Sequence, residues 1–367
     1  SFTSPAVATN NFDRTETLNS IYYAMFLPNK GPRWSGNIKK LNVAGTGITD
    51  KNDVNAIDEN GNISDGATTV WTTGSPDGNE VNQGGVAQML RTKHSAGVTT
   101  RKFLSDVKLD ANNNLLPLTR ANALTTYNTT EDLAAELNVI DDPAHQNIDD
   151  MLAWAKGENI DQVELEDGSI PTMRYDVMGD PLHSKPLIIN YGSDAENADI
   201  RIIVGTNAGV LHMFSDSGDS VDEAWAYMPK EFIKNISAFR ENFPSSEKKY
   251  GIDGSATVYI SDVDGDGAID EGTDKAWLFF GLCLCSLFGD FWLWMLNNRK
   301  GFGLRFCAGA LERDRCRFGH LLCLRFWCGV FDHLFGVTAR GTAKRGWNRF
   351  LIVWEFPENV FCDNGFF

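Results

Sequence analysis

The sequence predicts a mainly β fold with a small helical insertion. Short apolar runs alternate with Gly, Asp and Asn turns through residues 186–282, the signature of consecutive antiparallel strands. Residues 129–157 switch to a helical period. Large aromatics recur beside the strand-like runs, as the filling between twisted sheets requires.

Taken in order, "SIYYAMFL" (20–27) and "NIKKLNV" (37–43) read as strands, the second with alternation. Pro28, Gly31, Pro32 and Gly36 make the turn between them. Residues 44–69 read as a long polar loop. Thr129 is placed to cap a helix, with Asp132 three residues on and Leu133 and Leu137 on one face. Asn147 caps a second helix with Ile148, Leu152 and Ala155 on one face, stopped by Gly157. Then come "PLIINYG", "DIRIIVGTNAGVLHMFSD", "EAWAYMP", "SATVYISD" and "KAWLFFGL", with "TNAG" (206–209) as a hairpin turn. Strands at this spacing build a propeller blade or a sandwich sheet.

The chain has 367 residues and a formal net charge of -16. That argues against a nucleic-acid partner, whose phosphates need a basic surface. The charge is uneven. Residues 282–367 hold 7 acids and 11 bases, leaving 42 acids and 22 bases in residues 1–281, so the first part is -20 and the last +4. All seven cysteines (Cys283, Cys285, Cys307, Cys316, Cys323, Cys328, Cys362) fall in the last part. A cysteine-free acidic region fits a secreted, periplasmic or cytosolic setting alike. Starting at Ser1 with no leader, the chain reads as a fragment of something longer.

"DVDGDGAID" (262–270) is the strongest chemical signal. Asp262, Asp264, Asp266 and Asp270 alternate so that a turn can aim carboxylates at one hard cation, with Gly267 at the bend and the Ala268 carbonyl as a further oxygen. An EF-hand would place Glu at position twelve; here Thr273 stands there, so Asp270 must close the shell. The flanks read as strands, which makes this an EF-hand-like calcium clip in a β-hairpin. The bland alternative is a solvated acidic turn. Asp58, Asn60 and Asn62 in "DENGNISD" (58–65) alternate too, but with too few carboxylates, and read as a polar loop. His183 and His212 lack a second ligand at metal spacing and read as packing or hydrogen-bonding groups. Trp34, Trp71, Trp154, Trp225 and Trp277 read as core or inter-sheet packing. No G-x-S-x-G, H-E-x-x-H or phosphate-binding loop occurs, which points to binding and away from catalysis.

Several stretches together resemble the PilY-type family of type IV pilus biogenesis factors and tip adhesins. They are "RYDVMGDPLHSKPLIINYG" (174–192), "VGTNAGVLHMF" (204–214), "EAWAYMPKEF" (223–232) and "YGIDGSATVYISDVDGDGAIDEG" (250–272). "IYYAMFLP", "RWSGNIKKL", "VWTTGSPDGNEVNQGGVAQML" (70–90) and "MLAWAKGENID" (151–161) agree in order. The resemblance covers residues 1–281 and implies part of that family's C-terminal β-propeller, with the calcium loop at this place. It implies a protein of the pilus tip or cell surface, in transit through periplasm and outer membrane, whose partners are minor pilins and a host or abiotic surface. It further implies roles in pilus assembly, twitching motility and attachment. At ~40–45 residues per blade, residues 1–281 supply an incomplete propeller of about four blades. The rival reading is a calcium-dependent quinoprotein dehydrogenase, since "VGTNAGVLHMF" also resembles the blade motif of pyrroloquinoline-quinone enzymes; no quinone-ligand set accompanies it.

After "WLFFGL" the pattern breaks, and residues 282–367 read as an aberrant, frameshifted tail that forms no native domain. Read from the third base of the Phe291 codon, the codons of Phe291 to Leu296 can spell Leu, Ala or Val, then Leu, Met or Val, then Asp, then Val or Ala. That accommodates the Ala-Leu-Asp-Val the family carries there. A membrane span at residues 276–296 is long enough but carries Asp290. The third reading is a metal or disulfide module, whose cysteines lack the paired C-x-x-C spacing of a zinc site.

Overall fold

The structure is a computed structural model. It describes residues 6–9, 17–45, 47–142, 147–164, 168–194, 196–245, 248–270, 273–284, 290–299 and 301–310, with side chains described from 19 to 282 within these spans. These residues belong to the first of two units, Ser1–Ala310 and Leu311–Phe367. The tail from 311 onward lies outside the described residues.

The fold is mainly β. The first sheet is antiparallel: β1 (Ala6–Thr9), β2 (Thr17–Leu27), β3 (Ser35–Ala44) and β4 (Gly47–Thr49), in that order. Alternation along β2 feeds two different cores. Tyr22 and Ala24 face one, with Ile38, Trp71 and Phe214; Ile21, Tyr23 and Met25 face the other, with Leu41, Ala56 and Ile63. β3 is therefore covered on both faces, and the alternating "NIKKLNV" does not mark a half-exposed strand. Both of its lysines are inside. Lys39 pairs with Asp77 at 2.8 Å and also donates to the Asp77 and Gly78 carbonyls. Lys40, on the opposite face, pairs with Asp216 at 2.8 Å. A buried ammonium needs a full set of acceptors, and these supply it.

The expected polar loop at 44–69 is more ordered than its composition implies. Asp50 accepts the Asn52, Val54 and Thr68 amides, and Asp58 accepts those of Asn60 and Asn62. These Asx turns carry Ala56 and Ile63 into the second core, where both are buried.

The second sheet is mixed, in the order β6-β5-β10-β9-β8-β7. It comprises β5 (Phe103–Leu109), β6 (Leu115–Pro117), β7 (Leu187–Asn190), β8 (Ile200–Gly205), β9 (Leu211–Asp216) and β10 (Val221–Tyr227). Only β10 and β5 run parallel. The β8–β9 hairpin turns at "TNAG" as expected: Gly209 has φ 79°, and the Thr206 amide bonds Val210 O at 2.9 Å. The third sheet is antiparallel, β11 (Thr257–Ser261), β12 (Lys275–Leu284), β13 (Asp290–Arg299) and β14 (Gly301–Ala310). Ala276, Leu278, Phe280 and Leu282 of β12 alternate into the core. Residues 276–284 and 290–296 thus lie in strands, and among the described residues no helix is long and apolar enough to cross a membrane. Nor does any described sheet close into a barrel or propeller.

Both helix caps of the insertion are as read. Thr129 accepts the Asp132 amide to start α3 (Thr130–Glu136), and Asn147 accepts that of Asp150 to start α4 (Ile148–Ala155). They follow α1 (Gly85–Lys93) and α2 (Arg120–Tyr127), which the sequence reading did not mark, and precede α5 (Ile236–Glu241). Leu133, Leu137, Ile148 and Leu152 are buried beneath the second sheet's residues Phe103 and Met213 in one cluster. Of the five tryptophans expected inside, Trp71, Trp154 and Trp225 are buried, while Trp34 and Trp277 are half-buried.

Candidate metal centre

β11 and β12 pair with Ser261 opposite Lys275, so everything between must turn back within thirteen residues. Gly265 and Gly267 take φ 75° and 82°, a left-handed backbone that a side chain would strain. Asp262 then caps the turn: one oxygen accepts the Gly265 amide at 2.7 Å, the other the Gly267 amide at 3.1 Å. Asp266 accepts the Ala268 amide at 2.8 Å.

This folding gathers the predicted aspartates. Ligand oxygens of Asp264, Asp266 and Asp270 lie within 4.8 Å of one another, and so do those of Asp262, Asp264 and Asp274. Asp264 belongs to both groups. Asp264, Asp266 and Asp270 of the predicted set are thus brought together, Asp262 joins Asp264 in the other group with Asp274, and Ala268 sits on the same turn. Asp274 was missed. It is one residue beyond the EF-hand's closing position, and the only sequence signal was an acid directly before the β12 run. It is buried, and its two oxygens accept the Val263 amide at 2.9 Å and the Asp270 amide at 2.7 Å.

The electrostatics differ between neighbours. Desolvation pushes the Asp264 carboxyl up, and the charges of Asp266 and Asp274 add to it. The amides of Val263 and Asp270 hold Asp274 below the usual carboxylate range. Like charges this close disfavour joint ionisation unless a cation sits with them. The donor set is all oxygen and mostly anionic, the chemistry of a hard divalent ion. The residues therefore fit a hard divalent cation.

The loop is anchored to its neighbour. The Ile269 amide bonds Tyr191 O at 2.9 Å, and Ile269 is buried. Tyr191 opens the β7–β8 turn, itself tied by Asn190 and Asp194 to the amides of Gly192, Glu196 and Asn197. Asp58, by contrast, spends one oxygen on two amides and joins no carboxylate group among the described residues. His183 pairs with Asp253 at 2.8 Å and stacks on Tyr250. His212 is buried between Glu223 and the Met178 carbonyl. Both histidines are engaged as hydrogen-bonding groups.

No family model, curated protein or solved structure matches the chain. The functional reading rests on the loop and on the order of the sequence motifs.

Proposed function

We propose that this chain is a calcium-binding part of a PilY-type, type IV pilus-associated adhesin, built on an incomplete β-propeller. The observation that carries the reading is the convergence of Asp262, Asp264, Asp266, Asp270 and Asp274 on one hairpin turn. The four-stranded antiparallel sheet β1–β4, of blade size, is consistent with it. The role is binding rather than catalysis. Bound calcium supplies positive charge that lets the crowded carboxylates stay ionised together. The chain's own residues do the rest: Gly265 and Gly267 set the bend, Asp274 ties the two ends of the loop, and Ile269 transmits its order to the β7–β8 turn. Stiffening this edge in turn steadies the face offered to minor pilins at the pilus tip or to a surface.

The test is titration calorimetry of the metal-stripped full chain with calcium and with magnesium. Calcium uptake near one equivalent, with magnesium far weaker because it demands a tighter octahedron and keeps its waters, supports the proposal. A folded sample that takes up no calcium at millimolar concentration leaves only an acidic turn. Capture of minor pilins by the chain in calcium but not in chelator tests the pilus assignment separately.

A further inference from the structure

Two acidic side chains away from the turn lack what a buried carboxylate needs. Asp106 stands in the middle of β5 and is 7% exposed. One of its oxygens, Oδ1, accepts the Lys230 amide at 2.9 Å and the Tyr227 hydroxyl at 3.3 Å. The other, Oδ2, is buried with no hydrogen-bond partner among the described residues. Glu231 follows Lys230 on the short helical turn Lys230–Asn235, and its Oε2 is likewise buried with no such partner. Native proteins keep few such atoms, because each has lost its water without replacement.

The topology brings the two groups together. β5 pairs in parallel with β10, Leu104 opposite Tyr227, so the chain leaving β10 runs alongside Asp106. Burial pushes both carboxyls up, and the charge of Asp106 adds to the push on Glu231. The titratable neighbours come from every side but one. The helical turn supplies Lys230 and Lys234, whose charges favour ionisation. β10 supplies Tyr227, and α2 supplies Tyr127 with Glu136 of α3 beside it. β6 supplies none. Burial first, and then these acids, push both phenols up, so they stay protonated. One proton relieves two like charges in a dehydrated place, and it turns an acceptor with nothing to accept into a neutral acid.

We propose that Asp106 and Glu231 form a proton-binding latch. The folded chain keeps one proton on the pair where the unfolded chain has given it up, and so couples the docking of Lys230–Asn235 on β5 to pH. A group that holds its proton more tightly when folded stabilises fully below its unfolded value, about 3.9 for Asp and 4.3 for Glu. It loses that contribution as pH rises through the folded value.

The test is urea unfolding of the full chain beside Asp106→Asn, a neutral side chain of the same shape, between about pH 4 and pH 8. Taking the difference cancels the groups that both chains share. The native chain is expected to lose stability relative to the variant as pH rises, then level off once the pair ionises. A difference that stays flat, or that moves in favour of the native chain, overturns the proposal. Carbon-13 carboxyl shifts of the native chain read the pair directly, whether or not Asp106→Asn folds. At least one of the two carboxyls is expected to titrate above its ordinary value, and Glu231→Gln is expected to shift the Asp106 midpoint down. Ordinary midpoints for both, or an Asp106 midpoint that Glu231→Gln leaves in place, also overturn it.

Discussion

Asp270 and Asp274 hold each other reciprocally. The Asp270 amide donates to the Asp274 carboxylate at 2.7 Å, and the Asp274 amide donates to the Asp270 carbonyl at 3.1 Å. The same carboxylate reaches back to Val263 at 2.9 Å. One buried side chain therefore joins both ends of the acidic turn to the start of β12.

From this clamp follows the first prediction. Asp274→Ala removes both the anchor and a candidate ligand, and calcium affinity is expected to fall by about tenfold or more, the scale of a lost charge-assisted contact. Asp58→Ala, whose loop gathers no carboxylates, leaves it unchanged. Calorimetry on the two variants decides between them; equal affinities would remove Asp274 from the site.

Calcium is expected to raise the melting temperature. At about 100 times its dissociation constant, binding to the folded form alone adds about 2.7 kcal/mol. Asp262→Ala and Asp270→Ala should lose this rise. A rise that persists in both variants would place the ion elsewhere.

The third prediction concerns pH. Calcium needs ionised carboxylates, and Asp264 starts with a raised affinity for protons through desolvation and the charges of Asp266 and Asp274. As pH falls, protons should displace calcium earlier than from an ordinary aspartate. Asp264→Asn should bind more weakly at neutral pH and lose the upper part of this dependence. Dissociation constants measured across pH 7 to about pH 4.5, bracketing the ordinary carboxylate range, read it out.

The fourth lies in the core. Burial alone would raise the Glu223 carboxyl, but the Arg101 guanidinium at 2.7 Å and hydrogen bonds from Arg101 and His212 override it and hold it well below the usual range. A carboxylate depressed in the folded state stabilises above its unfolded value, about 4.3, and loses that contribution as pH falls toward its folded value. Arg101→Met strands the buried charge and is expected to cost about 3–5 kcal/mol at pH 7. Urea unfolding at pH 7 and about pH 3.5 should show the variant's deficit shrinking in acid; a constant deficit would deny the charge its role.

A smaller effect tests the insertion. Thr129→Ala and Asn147→Ala each remove a cap bond and should each cost about 1 kcal/mol. Additive losses in urea unfolding are expected, since each cap serves its own helix.

Local chemistry was legible in the sequence. Strand alternation, the caps at Thr129 and Asn147, the "TNAG" turn and the aspartate spacing of 262–270 all depend on near neighbours, and neighbours in the chain stay neighbours in the fold. Tertiary structure decided what depended on distant partners. Nothing within "NIKKLNV" encodes the burial of Lys39 and Lys40; their partners Asp77 and Asp216 arrive from 38 and 176 positions away. The loop at 44–69 looked structureless because its core contacts, Leu41 and Val81, lie outside it. Asp274 escaped the spacing rule for a different reason: the hairpin register, Ser261 opposite Lys275, sets how far the loop runs before it closes. The meeting of Arg33 and Arg174 on the Trp154 ring was invisible for the strongest reason of all. The three meet only when a turn, a helix and a loop pack together, and no period along a chain encodes that.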